Sequence, residues 1–188
     1  MYNVIAFMGK SGAGKDTILN AVCEKYPNLN KKVSTTTRPP RDYEKDGVDY
    51  YFITGEEFTN KVLNFEMAEA TDFREWFYGT EYRALKEKGL NVGVFNPDGV
   101  RALSEDSKIN LLVIYVTVSD KTRIIRALNR EVNPDIEEIF RRYHTDELDF
   151  SELNFDYKLV SNEDKSIDEV VEEVHEIIIG HFGQRKFM

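Results

Sequence analysis

Gly9-Lys10-Ser11-Gly12-Ala13-Gly14-Lys15 sets two glycines and a lysine at G-x-x-x-x-G-K spacing. Residues of this kind, so spaced, can hold a phosphate. Glycines let successive backbone N–H groups turn inward, a helix starting at the loop adds partial positive charge, and the lysine adds a full one. A glycine-rich turn that only links a strand to a helix is the plainer alternative. The context favours the phosphate loop: the apolar run Tyr2–Met8 reads as a strand, and from about Lys15 to Lys25 the residues Ile18, Leu19, Val22, Cys23 and Tyr26 recur at helical spacing. The motif's usual hydroxyl after the lysine is missing. Asp16 stands there, and Thr17 follows.

A second constellation lies at Ser34-Thr35-Thr36-Thr37-Arg38-Pro39-Pro40-Arg41, followed by Glu44, Gly47 and Asp49-Tyr50-Tyr51-Phe52. Two arginines three apart, fixed by prolines, suit a doubly charged phosphate monoester. Tyrosines can add neutral hydroxyl donors. A solvated charged face is the alternative for any one arginine, and less so for the combination.

The elements that must position these groups follow from periodicity. Lys31–Gly55 reads as loop with short strands, Gly55–Leu63 as a short helix, Phe65–Thr71 and Phe73–Tyr78 as strands, and about Glu81–Lys88 as a helix. Val92–Asn96 and Ile109–Val118 read as buried strands. Pro97 suits the first turn of a helix to Leu103. Ser119 is an N-cap for a helix to about Arg130. Pro134–Glu147 is helical, Tyr157–Val160 a last strand and Ser166–His181 a final amphipathic helix. Strands and helices in alternation predict an α/β fold: a parallel sheet flanked by helices, with a mainly β insertion and a helical lid. The expected division is one domain, with a core at about 1–30, 90–125 and 146–188, an acceptor-binding region at about 31–89 and a lid at about 126–145.

Composition narrows the function classes. The 188 residues are 41% hydrophobic and 31% charged, which is ordinary for a globular chain. No apolar run approaches the roughly 20 residues of a membrane span. The N-terminal stretch lacks a basic region and a small-residue cleavage site, so it does not read as a signal peptide. The single Cys23 excludes an intramolecular disulfide and fits the reducing cytoplasm. With 25 basic against 34 acidic side chains, net −9, non-specific nucleic-acid binding is disfavoured, yet a local cationic pocket for nucleotides is not. His144, His175 and His181 read as surface or packing residues.

The phosphate loop, S-x-x-T-R-P-x-R and D-G-x-D-Y-x-F together resemble the guanylate kinase family. The resemblance continues through Glu69, Tyr78-Gly79-Thr80, Arg126–Arg130, Arg141-Arg142 and Ser161-Asn162. It implies ATP-dependent phosphorylation of GMP or dGMP with Mg²⁺. Arg38, Arg41, Tyr50 and Tyr78 match positions that hold the acceptor phosphate, Glu69 the carboxylate on the guanine N1–H and N2–H edge, and Ser34 and Thr80 the hydroxyls near O6. Gly9, Ser11, Gly12, Ala13, Gly14, Lys15, Asp16, Thr17 and Asn162 match the ATP side. Lys15, Arg38, Arg130 and Arg142 match the charge-neutralising groups of catalysis. A carboxylate facing two parallel N–H donors selects guanine over adenine, and a phosphate oxyanion nucleophile needs no general base.

The chain departs from that family at Val94-Phe95-Asn96, where two aspartates of a D-x-D are replaced. Asp98 is a candidate to reach inward instead, or to favour its helix dipole. Either Asp16 holds Mg²⁺, directly or through water, or Thr17 and solvent suffice. Two other enzymes remain open, a broader deoxynucleoside monophosphate kinase and a ribose bisphosphate kinase-like sugar-phosphate kinase. A non-catalytic guanylate kinase-like binding module is a third, disfavoured by the intact phosphate loop. No nucleic-acid or membrane partner is expected, and the sequence does not give an oligomeric state.

Overall fold

The computed structural model describes residues 1–41, 44–73, 75–129, 134–151, 154–161 and 164–183. Two sheets carry the chain. The first runs β2 (Asn30–Lys31), β7 (Leu90–Val94), β1 (Tyr2–Met8), β8 (Ile109–Thr117), β9 (Tyr157–Val160), and every neighbouring pair is parallel. Parallel strands need crossovers, and α1 (Lys15–Lys25), α3 (Pro97–Glu105), α4 (Asp120–Leu128) and α5 (Ile136–Asp149) lie on them, with α6 (Ile167–Phe182) closing the chain. Both faces of the sheet are covered. Ile5 and Phe7 of β1 pack with Ile18, Leu19 and Val22 of α1 and with Val170, Val174 and Ile178 of α6. Val4, Ala6 and Met8, one residue out of phase, pack with Val100 and Leu103 of α3. The period of two along β1 is therefore apolar in both phases, as a doubly covered parallel strand requires.

The second sheet has the order β4 (Tyr50–Phe52), β3 (Ser34–Thr36), β6 (Trp76–Glu81), β5 (Met67–Phe73). Here β5 and β6 are antiparallel, as are β3 and β6, while β3 and β4 run parallel. Helix α2 (Gly55–Leu63) starts with a capping box between Thr54 and Glu57. Strand β5 begins later than the apolar pattern suggests because Phe65 takes a left-handed φ of 57° just after α2 and points into solvent.

One element expected from periodicity is absent. In place of a helix over 81–88, Glu81 ends β6, and Tyr82–Ala84 form a single 3₁₀ turn. Glu81 is held in the second sheet by Thr35, Lys61 and Arg83. The next turn is clamped by the buried amide of Asn91, which accepts from the Lys86 N–H at 2.7 Å and donates to the Lys86 carbonyl at 2.9 Å. A side chain from outside the segment takes the backbone groups a helix would have paired, and local propensity yields to it.

The remaining helix signals hold in position. Ser119 accepts from the Thr122 N–H and Pro97 occupies the first turn of α3. Cys23 is a free, half-buried thiol against the α1–α6 core. Among the described residues no helix is long and apolar enough to cross a membrane.

Candidate functional site

The phosphate loop sits at the carboxyl end of β1, where the sheet order turns: β7 lies on one side and β8 on the other. Crevices at such a point are the usual ligand sites of open α/β sheets. The loop shape depends on glycine. Gly12 and Gly14 have φ of 79° and 93°, and a Cβ at Gly12 would stand 2.7 Å from the Arg123 carbonyl oxygen. Lys15 curls over the loop and donates to the carbonyls of Gly9 at 2.7 Å and Lys10 at 3.2 Å. Burial holds its amine below the ordinary lysine range, against the pull of the Asp16 carboxylate.

Two cavities meet here. The larger, about 830 Å³, is bordered by Gly9, Ser11, Lys15, Ser34, Tyr50, Glu69 and Tyr78. The smaller, about 510 Å³, is bordered by Ser11, Gly12, Gly14, Lys15, Asp16, Thr17, Arg126 and Arg142. Ser11 and Lys15 border both. Asp16 and Thr17 stand exposed at the first turn of α1. Within the described residues, no group of three or more His, Cys, Asp or Glu side chains is placed to hold a metal ion. One carboxylate and one hydroxyl nevertheless fit Mg²⁺, which is usually held by one or two protein oxygens and completes its shell with phosphate and water.

In the larger cavity Glu69, Thr80, Ser34 and Lys32 form one network. Thr80 donates to Glu69 at 2.7 Å, and Lys32 donates to both Thr80 at 2.9 Å and Ser34 at 2.5 Å. Burial pushes the Glu69 carboxyl up, with the Lys32 charge opposing. Burial also lowers the Lys32 amine to about 8, opposed by the Glu69 charge. Thr80 has no exposed surface and stands behind the cavity wall rather than on it.

In the loop after β3, Glu44 gathers the arginines. Arg38 pairs with it at 2.7 Å, Arg41 lies at 3.7 Å and the Arg41 N–H donates to it at 2.8 Å. The hydrogen bond from Arg38 holds the Glu44 carboxyl below its usual range. The Arg38 guanidinium also lies 5.5 Å from the centre of the Tyr50 ring, which in turn meets Tyr78 edge-on. Arg38 is therefore beside Tyr50 and Tyr78, and both Arg38 and Arg41 are tied to a carboxylate, outside the lining of the larger cavity.

Other expectations fare differently. Asp98 stands at the border of the larger cavity. It pairs with Arg101 across one turn of α3 and is largely exposed. Asn96 also faces the site region, capping α3 by accepting from the Gly99 N–H at 2.8 Å and donating to Thr71 at 3.3 Å. Arg142 borders the smaller cavity and is paired with Glu138 at 2.6 Å. Arg130 and Asn162 lie outside the described residues.

Three groups were not singled out from sequence. Lys32 follows Lys31 in a polar stretch and reads as solvated. Its trace in the sequence is Gly93 in the middle of a buried strand, a mark of close approach. Arg123 is buried and donates to the Ser11 carbonyl at 2.9 Å and to Asp146 at 2.7 Å. Asp146 also accepts from the Ser11 N–H at 2.7 Å. A carboxylate in phase with Ile139 and Tyr143 on α5 was the available signal for that contact.

The family model described as guanylate kinase matches residues 1–180. The chain belongs to the guanylate kinase family. A guanylate kinase of Thermotoga maritima is 36% identical over 176 residues, covering 90% of this chain and 83% of its own. One from Frankia casuarinae is 48% identical over 86 residues, so this chain spans about half the length of that relative. The crystal structure of guanylate kinase from Anaplasma phagocytophilum has the same fold, with a TM-score of 0.68 at 21% identity over 98% of this chain and 89% of that one. Membership in the guanylate kinase family thus agrees with the two-sheet architecture and the phosphate loop.

Proposed function

We propose that this chain transfers the γ-phosphate of ATP to GMP or dGMP, giving ADP and GDP or dGDP. The observation that carries the reading is the shared border: Ser11 and Lys15 face a cavity on either side, so a donor in one and an acceptor in the other meet at a single lysine. Lys15 spreads its charge over the donor phosphates and the transferring group. The loop amides and the N-terminus of α1 cradle the rest of the donor's phosphate chain. Arg38, Arg41, Tyr50 and Tyr78 hold the acceptor phosphate, for which Arg38 and Arg41 exchange part of their pairing with Glu44. Glu69 takes the N1–H and N2–H of guanine, and Ser34 stands at its O6.

The acceptor oxygen is already an anion, so no side chain has to remove a proton. Rate enhancement comes from alignment and charge neutralisation. Arg142 and Arg130 belong to the lid side of the donor, and Asn162 to its adenine. Asp16 and Thr17 would hold Mg²⁺, which, when bound, neutralises charge on the donor phosphates. Water has to be excluded at the moment of transfer, or ATP is hydrolysed.

The test is an acceptor screen with ATP and Mg²⁺, reading ADP release for all common ribo- and deoxyribonucleoside monophosphates and for ribose phosphates. GMP and dGMP should dominate. Equal turnover of AMP and CMP would move the assignment to a relaxed monophosphate kinase, and turnover of ribose bisphosphate alone would move it to a sugar-phosphate kinase.

A further inference from the structure

We propose that Lys32 is a base-reading residue of the acceptor cavity, whose ammonium donates to the 6-oxo oxygen of the purine and so sets a preference for 6-oxopurine monophosphates. The inference rests on the kinase reading above and goes beyond it in naming the group that reads this atom.

A count of hydrogens leads to it. A threonine hydroxyl has one proton to give. Thr80 gives its proton to Glu69, and its oxygen accepts from Lys32. Thr80 therefore has no donor left for a carbonyl oxygen in the cavity. Lys32 has three N–H groups. Two are used, on Ser34 and Thr80, and the residue itself borders the cavity beside Ser34 and Glu69. The third N–H is the strongest donor left at that point. Its charge makes the bond to a carbonyl oxygen a charge-assisted one.

The surroundings are built for this lysine. A Cβ at Gly93 would lie 2.4 Å from the Lys32 Cε and 2.8 Å from its Cγ, so the stem crosses β7 only because residue 93 has no side chain. The Nζ sits 4.1 Å from the centre of the Phe95 ring, a cation–π contact that helps hold a desolvated ammonium. Side by side, an ammonium and the Glu69 carboxylate present a donor and an acceptor. That pair matches a 6-oxo oxygen next to an N1–H, and it opposes the 6-amino group and bare N1 of adenine. Hypoxanthine shares the matching edge with guanine, so inosine monophosphate is expected to be accepted through the same contact.

The experiment measures kcat/KM for GMP, inosine monophosphate and 6-thio-GMP in wild type, Lys32→Met and Lys32→Gln. The thio analogue keeps N1–H and the 2-amino group but carries a poor acceptor at position 6. Lys32→Met should lower kcat/KM by about 10- to 100-fold for GMP and by the same factor for inosine monophosphate. For 6-thio-GMP the loss should be under about threefold, with KM for ATP unchanged. Lys32→Gln keeps an uncharged donor and should fall between, which preserves the test if the methionine variant does not fold. Equal losses for GMP and 6-thio-GMP would overturn the proposal and leave Lys32 as a support for Glu69. Loss below about threefold for GMP overturns it too. If wild type phosphorylates none of the three acceptors, the kinase reading itself falls, an outcome distinct from an active enzyme indifferent to Lys32.

Discussion

The two cavities that meet at Lys15 are made in different ways. The smaller takes one wall from backbone: a contiguous run of seven residues, Gly9–Lys15, with two glycines in the left-handed region, shapes a loop whose amides suit an anion, while residues of α4 and α5 supply most of the remaining lining. The larger is shaped by side chains from residues far apart in sequence, with Lys32, Ser34, Glu69 and Thr80 joined by three hydrogen bonds. A backbone site tolerates little change of conformation but much change of neighbours. A side-chain network is the reverse, since each member depends on where the others send their protons.

That contrast can be broken at several points. The largest effect is expected for Lys15→Ala, which removes the one charge common to both cavities. Turnover should fall by about 10²- to 10³-fold or more, while circular dichroism and the melting curve stay near wild type. ADP release near the wild-type rate would separate the lysine from the reaction. Glu69→Gln comes next. It should cost roughly 1.5–3 kcal/mol in GMP binding with little change in ATP binding, measured by titration calorimetry. If GMP affinity is unmoved, the larger cavity does not read the base through that carboxylate.

Gly12→Ala sharpens the backbone half. The new Cβ would press on the Arg123 carbonyl at a φ of 79°, so a stability loss of about 1–3 kcal/mol is expected from denaturant unfolding, together with weaker ATP binding. The smallest effect is a pH profile. Glu69, pushed up by burial, takes up a proton at a pH above the ordinary carboxylate value, and Lys32 loses one near 8. Acceptor binding needs the first ionised and the second protonated. KM for GMP should therefore rise on the acid side and again above about pH 8, and the alkaline rise should be weaker in Lys32→Met. The groups facing Lys32 are Glu69, Ser34, Thr80 and the Phe95 ring, of which only Glu69 titrates. A flat KM from pH 7 to 9 in wild type would detach that lysine from acceptor binding.

The same contrast explains what could be read without coordinates. A site made of consecutive backbone leaves a consecutive signature, so the phosphate loop, its strand and its helix were legible in Gly9–Lys15 and the flanking periodicity. The parallel sheet was legible because β1 and β8 are apolar in both phases. The helix expected at 81–88 was not there, because its backbone is clamped by Asn91 and its first residue is held by Thr35, partners that helical periodicity does not register. Lys32 carries no motif or periodicity that marks it out. Its burial depends on an empty place at Gly93, some sixty positions away. Glu44 was visible as part of a motif, but its hold on Arg38 and Arg41 appears only when the loop is folded.

Among the described residues, the polar anchors of helix α5 gather in its C-terminal half, where Tyr143 also meets Asp120 and Arg123. Asp146 is bound to the Ser11 amide and to Arg123, and Glu147 pairs with Lys10, whereas Ile136 and Phe140, toward the other end, stand in solvent. At 1.5 Å per residue, Arg142 lies about 6 Å along the axis from that fulcrum and Ile136 about 15 Å. A tilt of about 20° would then carry Ile136 some 5 Å but Arg142 only about 2 Å. Placed on the short arm between that anchor and the exposed tip, the guanidinium would keep its aim under a tilt that displaced the tip.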